Sequence, residues 1–178
     1  MIVTAFSTVL VSMIGVTTPA SITSELLDKL KAAPDEETAQ TLEEQVWDAW
    51  GASGSAVVDI LMKRAIEAGE EGNAVLARDM LDRVIMLKPE WAEGWYRRAS
   101  LFFNDGKYEE ALQDLEAALE REPRHFGAWV GLAMIFESID RPRAALQACR
   151  KALEVHPFFA TAKQCQTRLI PRVDGRAL

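Results

Sequence analysis

The sequence predicts an all-α protein built from helical hairpins stacked as repeats, and three observations predict it. Pro89, Pro123 and Pro157 are equally spaced, and the segments between them overlay without a gap. Within each segment a Trp (Trp95, Trp129) is followed four residues on by a small residue (Ala99, Ala133) and three further by an aromatic (Phe102, Phe136). In the second half, Ala111 and Ala145 fall in register, as do Ala118 and Ala152. A constant period of this kind marks one supersecondary unit used repeatedly rather than a single globular core.

The spacing inside the unit identifies it as a helical hairpin. Trp95, Ala99 and Phe102 form one stripe at helical intervals, and Ala111, Leu115, Ala118 and Leu119 form another. Between them Asn104, Asp105, Gly106 and Lys107 form a breaker cluster able to reverse the chain. Alanines at 99, 111 and 118 let two helix axes approach, while Trp95 and Phe102 fill space against a neighbour. Each Pro stops the second helix of one unit and opens the next.

These residues resemble the tetratricopeptide repeat. The run Trp95, Ala99, Phe102, then Asp105 to Leu112, Ala118 and Pro123 is similar to the family consensus, and Trp129, Leu132, Ala133, Phe136, Ala145, Ala152 and Pro157 repeat it. Asp140 stands where the family has a turn glycine, and Pro142 opens the second helix of that unit. One period upstream, Leu61, Ala65, Ala77, Leu81 and Val84 match a weaker unit with Ala68 in the aromatic place. The resemblance implies a right-handed α-solenoid of three hairpins, over 58 to 91, 92 to 125 and 126 to 159, that scaffolds protein or peptide partners without catalysis. In the family the first helix of each hairpin lines a concave groove. Carried over residue by residue, the groove positions are Met62 and Ile66, then Tyr96, Ser100 and Phe103, then Val130, Met134 and Glu137. The set is apolar and adaptable, suited to the apolar side of a partner helix or extended segment. Relatives that clamp a terminal carboxylate use Lys, Arg and Asn here, whereas this chain offers Arg97 and no asparagine at the matching place.

In chain order, the first 20 residues carry no charge, and Ile2 to Val16 is mostly apolar. With Thr18, Pro19 and Ala20 ahead of Ser21, this reads as a secretory signal and places the mature chain in a periplasm or outside the cell. The alternatives are an uncleaved anchor, the one route to membrane contact, or an apolar helix on the array of a cytoplasmic protein. Residues 21 to 57 form a helical extension and linker. Ser24 is the expected cap of a helix to Ala33, and a second helix over about 36 to 50 aligns Leu42, Val46, Trp47 and Trp50. This pair is expected to cover the open end of the first repeat, since solenoid ends expose core. Gly51 to Ser55 separates it from repeat helices expected at about 56 to 69, 73 to 87, 91 to 104, 108 to 122, 125 to 138 and 142 to 155. A capping helix over 160 to 170 is expected to end at Pro171, with 171 to 178 frayed.

Charge and chemistry narrow the function. The net charge of -7 argues against nucleic acid, whose phosphates need a basic face. It is unevenly placed: residues 21 to 50 hold eight acids and two bases, and 126 to 178 hold four acids and eight bases, so the chain runs from acidic to basic. His125 and His156 fall between repeats and read as ordinary loop histidines, neither at metal-ligand spacing. No phosphate loop, nucleophile elbow, metal cluster or cofactor motif appears, and the paired acids such as Glu43-Glu44 read as solvated. Cys149 and Cys165 lie symmetrically about Pro157, so a chain reversal there allows a disulfide, the alternative being buried free thiols. The groove could hold a heterologous partner, the chain's own Leu42, Val46 and Trp50, or a second copy in a homodimer.

Overall fold

The computed structural model describes residues 19 to 175. Within them the chain forms α1 (Pro19–Lys31), α2 (Glu36–Gly51), α3 (Ala56–Glu70), α4 (Ala74–Leu87), α5 (Ala92–Asn104), α6 (Tyr108–Arg121), α7 (Phe126–Ser138), α8 (Pro142–Val155) and α9 (Ala160–Asp174), with no strand. The signal expected over 1 to 20 lies almost wholly outside the described residues.

Helices α3 to α8 pair as three consecutive hairpins, and the repeat is regular enough to see in single bonds. Trp95 Nε1 donates to the Pro89 carbonyl at 2.9 Å, and Trp129 Nε1 donates to the Pro123 carbonyl at 2.9 Å. The turn inside each hairpin needs a left-handed residue, supplied at equal intervals by Gly72 (φ 76°), Gly106 (φ 72°) and Asp140 (φ 54°). Aspartate tolerates that conformation better than most side chains, which is why the unit without a turn glycine still closes. Ala111, Ala118, Ala133 and Ala145 are fully buried where helix axes cross, and Leu115, Leu132 and Leu146 fill the space between. The same pattern in α3 and α4 uses Val58, Met62, Ala65, Leu81 and Val84.

The helical extension departs from expectation. Helices α1 and α2 form an antiparallel pair that does not cover the first repeat; it lies along the loops that join one repeat to the next. Leu27, Leu30, Val46 and Trp50 share a core with Phe126 and Val130 of α7, Ala152 of α8 and Ala162 of α9. Lys88 Nζ donates to the Ser53 carbonyl, and Trp91 Nε1 donates to the Trp50 carbonyl at 2.8 Å. The physical reason lies in what caps the repeat helices. Trp91, His125 and Phe159 are the N-caps of α5, α7 and α9, one repeat apart from each other. A row of rings at the inter-repeat edge is a better partner for Trp47 and Trp50 than the flank of α3.

Two boundaries also differ, and one cap is made differently. Helix α1 starts at Pro19, a residue suited to a first helical turn, and so includes Ser24 instead of being capped by it. Ser55 is the N-cap of α3 but makes no side-chain cap; the Ser53 hydroxyl, 2.5 Å from Asp59 Oδ1, ties down this corner. Helix α9 runs through Pro171 to Asp174, so the chain from 171 to 174 is helical where a frayed tail is expected. Arg168 and Arg172 both bond Glu137 of α7, which holds the last turns in place.

Candidate functional site

The first helices of successive hairpins, α5 and α7, and the start of α9 lie side by side and enclose a hollow of about 310 Å³. Tyr96, Ser100 and Phe103 of α5 line one wall, and Val130 and Met134 of α7 line the other. Five of the predicted groove residues therefore share one surface. Leu115 forms the floor, because Gly131 has no side chain to block it: a Cβ there would meet Leu115 at 3.1 Å. Phe159 and Thr161 close the α9 side.

The remaining predicted residues are placed elsewhere. Met62 is buried among Val58, Ala65, Leu81 and Val84, so in the first repeat the expected groove position is core. Ile66 stays exposed and lines a neighbouring hollow of about 280 Å³ with Arg97, Leu101 and Asn104. Glu137 accepts bonds from Arg168 and Arg172 and acts as a clasp between α7 and α9.

One end of the groove is stoppered by α2. Trp47 lies over Tyr96 with ring centroids 5.9 Å apart, and its ring reaches the backbone of Gly127, where a Cβ would stand 2.7 Å away. Trp50 stacks on His125 at 4.2 Å with planes 7° apart. His125 lies between repeats as expected, at the N-cap of α7, but it is fully buried and not an ordinary loop histidine. Its Nδ1 accepts the Ala128 N–H at 3.1 Å, so its proton sits on Nε2, 3.3 Å from Glu93 Oε2. Glu93 is itself buried and also bonds Arg97 Nε at 2.5 Å. Burial alone pushes the Glu93 carboxyl up, and the His125 bond together with the Arg97 charge more than offsets that, holding it below the ordinary carboxylate range. Burial and the nearby Glu93 charge raise the Tyr96 phenol.

His156, also buried, repeats the theme from the other side. Its Nε2 lies 2.9 Å from Glu43 Oε2, and Glu43 Oε1 accepts the Trp47 Nε1–H at 3.2 Å. Glu43 is therefore an anchor and not a solvated acid. The histidines' partners lie 32 and 113 residues away in sequence, so no local spacing could reveal them.

Cys149 of α8 and Cys165 of α9 are joined, with Cα atoms 6.3 Å apart, inside the range a disulfide spans. Sequence reasoning missed Asn104, Gly127, Gly131, Phe159 and Thr161 as wall residues. Asn104 reads as a turn-former, yet it borders both hollows. Gly127 and Gly131 carried the available signal: two glycines one turn apart inside a helix mark a face where something approaches closely. Among the described residues, no group of three or more His, Cys, Asp or Glu is placed to hold a metal ion, and no helix is long and apolar enough to cross a membrane.

A stack of equal helical hairpins with the first helices facing a shared groove defines a helical-repeat solenoid, and comparison with known proteins places it in a family. The tetratricopeptide repeat model matches residues 62–115 and 96–158. A TPR repeat-containing protein of Rhizobium etli is 36% identical over 157 residues, covering 88% of this chain and 77% of that protein. The chain belongs to the tetratricopeptide repeat family. Among solved structures, MamA superposes with a TM-score of 0.60 at 21% identity over 88% of this chain and 83% of its own. The TPR2B domain of yeast Sti1, in complex with pHsp70, superposes with a TM-score of 0.61 at 19% identity over 66% of this chain and 99% of its own. At these identities the two structures speak to the fold.

Proposed function

We propose that the protein is a non-catalytic interaction scaffold that takes an apolar peptide-like segment of a partner into the hollow between α5 and α7. The observation that carries this reading is the convergence of Tyr96, Ser100, Phe103, Val130 and Met134 on one concave surface with Met134 still 44% exposed. A preformed apolar concavity with a few polar groups at its rim is the usual form of a binding site. The TPR2B domain of yeast Sti1, which shares the fold, is in complex with pHsp70. Arg97 is already paired with Glu93, so a terminal carboxylate is not the favoured ligand; an internal apolar segment is. Phe103→Ala should weaken partner capture by about 30-fold, the scale of an aromatic hot spot of about 2 kcal/mol, with the melting temperature nearly unchanged. Retained affinity, or a loss of several kcal/mol of stability, removes Phe103 from the contact surface.

A second reading is favoured by one observation. Trp47 already occupies the Tyr96 end of the groove, so α1 and α2 act as a self-contact that a partner's entry must share or displace. Cleavage in the Gly51 to Ser55 linker that increases partner binding supports this reading. We further propose export through the uncharged leader, which suits a paired Cys149 and Cys165. A mature N-terminus at Ser21 is the expected result of N-terminal sequencing, and an intact Met1 refutes it.

A further inference from the structure

Helix α9 walls the hollow with little packing of its own. Helix α7, its counterpart one repeat earlier, buries seven of its residues, whereas α9 buries only Ala162, Cys165 and Leu169. Among the described residues no helix follows α9 to cover its outer side. Its ion pairs to Glu137 come from Arg168 and Arg172, whose side chains are 56% and 42% exposed, and pairs so exposed contribute little. Yet Phe159, its N-cap, and Thr161, in its first turn, close one side of the hollow. The repeat register shows what replaces the missing packing. Cys149 stands one period after Leu115, and Cys165 one period after Gly131. At the earlier joint Leu115 fills the space over Gly131, where a Cβ would lie 3.1 Å from it. At the later joint the same two places are a disulfide, across Cα atoms 6.3 Å apart. A van der Waals contact between α6 and α7 has become a covalent one between α8 and α9. Thr161 lies one helical turn ahead of Cys165, so the bridge pins the turn that carries the wall.

We infer that the Cys149–Cys165 bridge positions one wall of the groove and makes ligand capture depend on redox state, a role that rests on the hollow being the binding site proposed above. Paired, the cysteines hold Phe159 and Thr161 against the α7 side; as two thiols they release that wall, and the hollow loses a side. Opening the bridge takes two electrons and two protons from a dithiol. The thiolate of the dithiol attacks one sulfur as the S–S bond breaks, giving a mixed disulfide. Its second thiol then displaces that bond, leaving Cys149 and Cys165 as thiols and the reductant as a disulfide. Both cysteines are at most 4% exposed, so a dithiol reaches them only when α9 lifts, and their pairing is set while the chain folds. The groove is then complete in a chain folded under oxidising conditions and lacks a fixed wall in one folded under reducing conditions.

Amide hydrogen exchange of the full chain, read by mass spectrometry, tests this together with the affinity for Nile red as an apolar probe. The chain refolded with dithiothreitol and the variant with Cys149→Ala and Cys165→Ala remove the bridge by separate routes. Both should exchange the amides of α9 at least about tenfold faster than the bridged chain, a larger change than in α5, and both should bind Nile red at least about fivefold more weakly. Protection of α9 that is the same with and without the bridge overturns the inference. So does a loss of protection spread evenly over α3 to α9, since the bridge then stabilises the array and not one wall. An affinity for Nile red that survives loss of the bridge but falls in Phe103→Ala overturns it as well. An affinity unmoved by Phe103→Ala removes the groove reading instead, and the exchange of α9 still decides the bridge.

Discussion

Glu93 is the most demanding test of how the extension is held. It is buried, accepts the proton of His125 Nε2 and pairs with Arg97, while His125 carries the stacked Trp50 of α2. Glu93→Ala leaves the His125 N–H buried without an acceptor, which costs about 1 to 3 kcal/mol, and adds the void of the lost side chain, for about 2 to 4 kcal/mol in all. Glu93→Gln keeps an acceptor for His125 and loses the charge opposite Arg97. That partner is 42% exposed and screened, so the cost is about 1 kcal/mol or less. For a chain of this size, midpoints of thermal melts followed by far-UV circular dichroism should fall by about 4 to 16 °C in the first variant and by no more than about 4 °C in the second. Tryptophan fluorescence should report loss of the Trp50 environment in the alanine variant. The acid limb has a definite sign. Because folding lowers the Glu93 pKa from its ordinary 4.5, its contribution is fully present above that pH and is lost as pH falls through the folded value. Glu93→Gln should therefore flatten the acid decline in stability. If the alanine and glutamine variants melt together, the His125 bond contributes nothing and the reasoning fails.

Further predictions concern the array itself. Reduction of Cys149 and Cys165, or Ser at both, should lower stability by up to about 3 kcal/mol, since the bridge closes a separation of 16 residues; identical melts with and without reductant refute it. Arg98→Met leaves the buried Asp114 without its two bonds from Arg98 at 2.7 Å and should cost about 2 to 3 kcal/mol by urea titration. Arg124→Ala breaks a bond to Asp28, whose side chain is 72% exposed, and should change stability by less than about 1 kcal/mol. Similar costs for the two arginine variants would show that burial of the acid does not decide the matter.

The repeat could be read because its physics is local. Each hairpin contacts its neighbours at one fixed period, so Trp95 and Trp129, the turn at Asp140 and the alanine crossings follow from spacing alone. The shared surface was legible in part: Tyr96 and Ser100 border the same hollow as Val130 and Met134, which stand one period later. Met62 was not, because a weaker first unit without the consensus aromatic draws methionine into its core.

The placement of α1 and α2 was decided by tertiary structure. An amphipathic pair announces that it must be buried, but its apolar stripe fits any apolar surface of the right length, and the flank of α3 was one candidate. What chose the inter-repeat edge was a set of contacts between residues far apart in the chain: Trp50 on His125, Trp47 on Tyr96 and Gly127, and Glu43 with His156 across 113 positions. Rings and buried acid–imidazole bonds of this kind carry no period. They exist only once the stack has brought Trp91, His125 and Phe159 into one row, and that choice leaves Val57 and Ile60 exposed among the described residues.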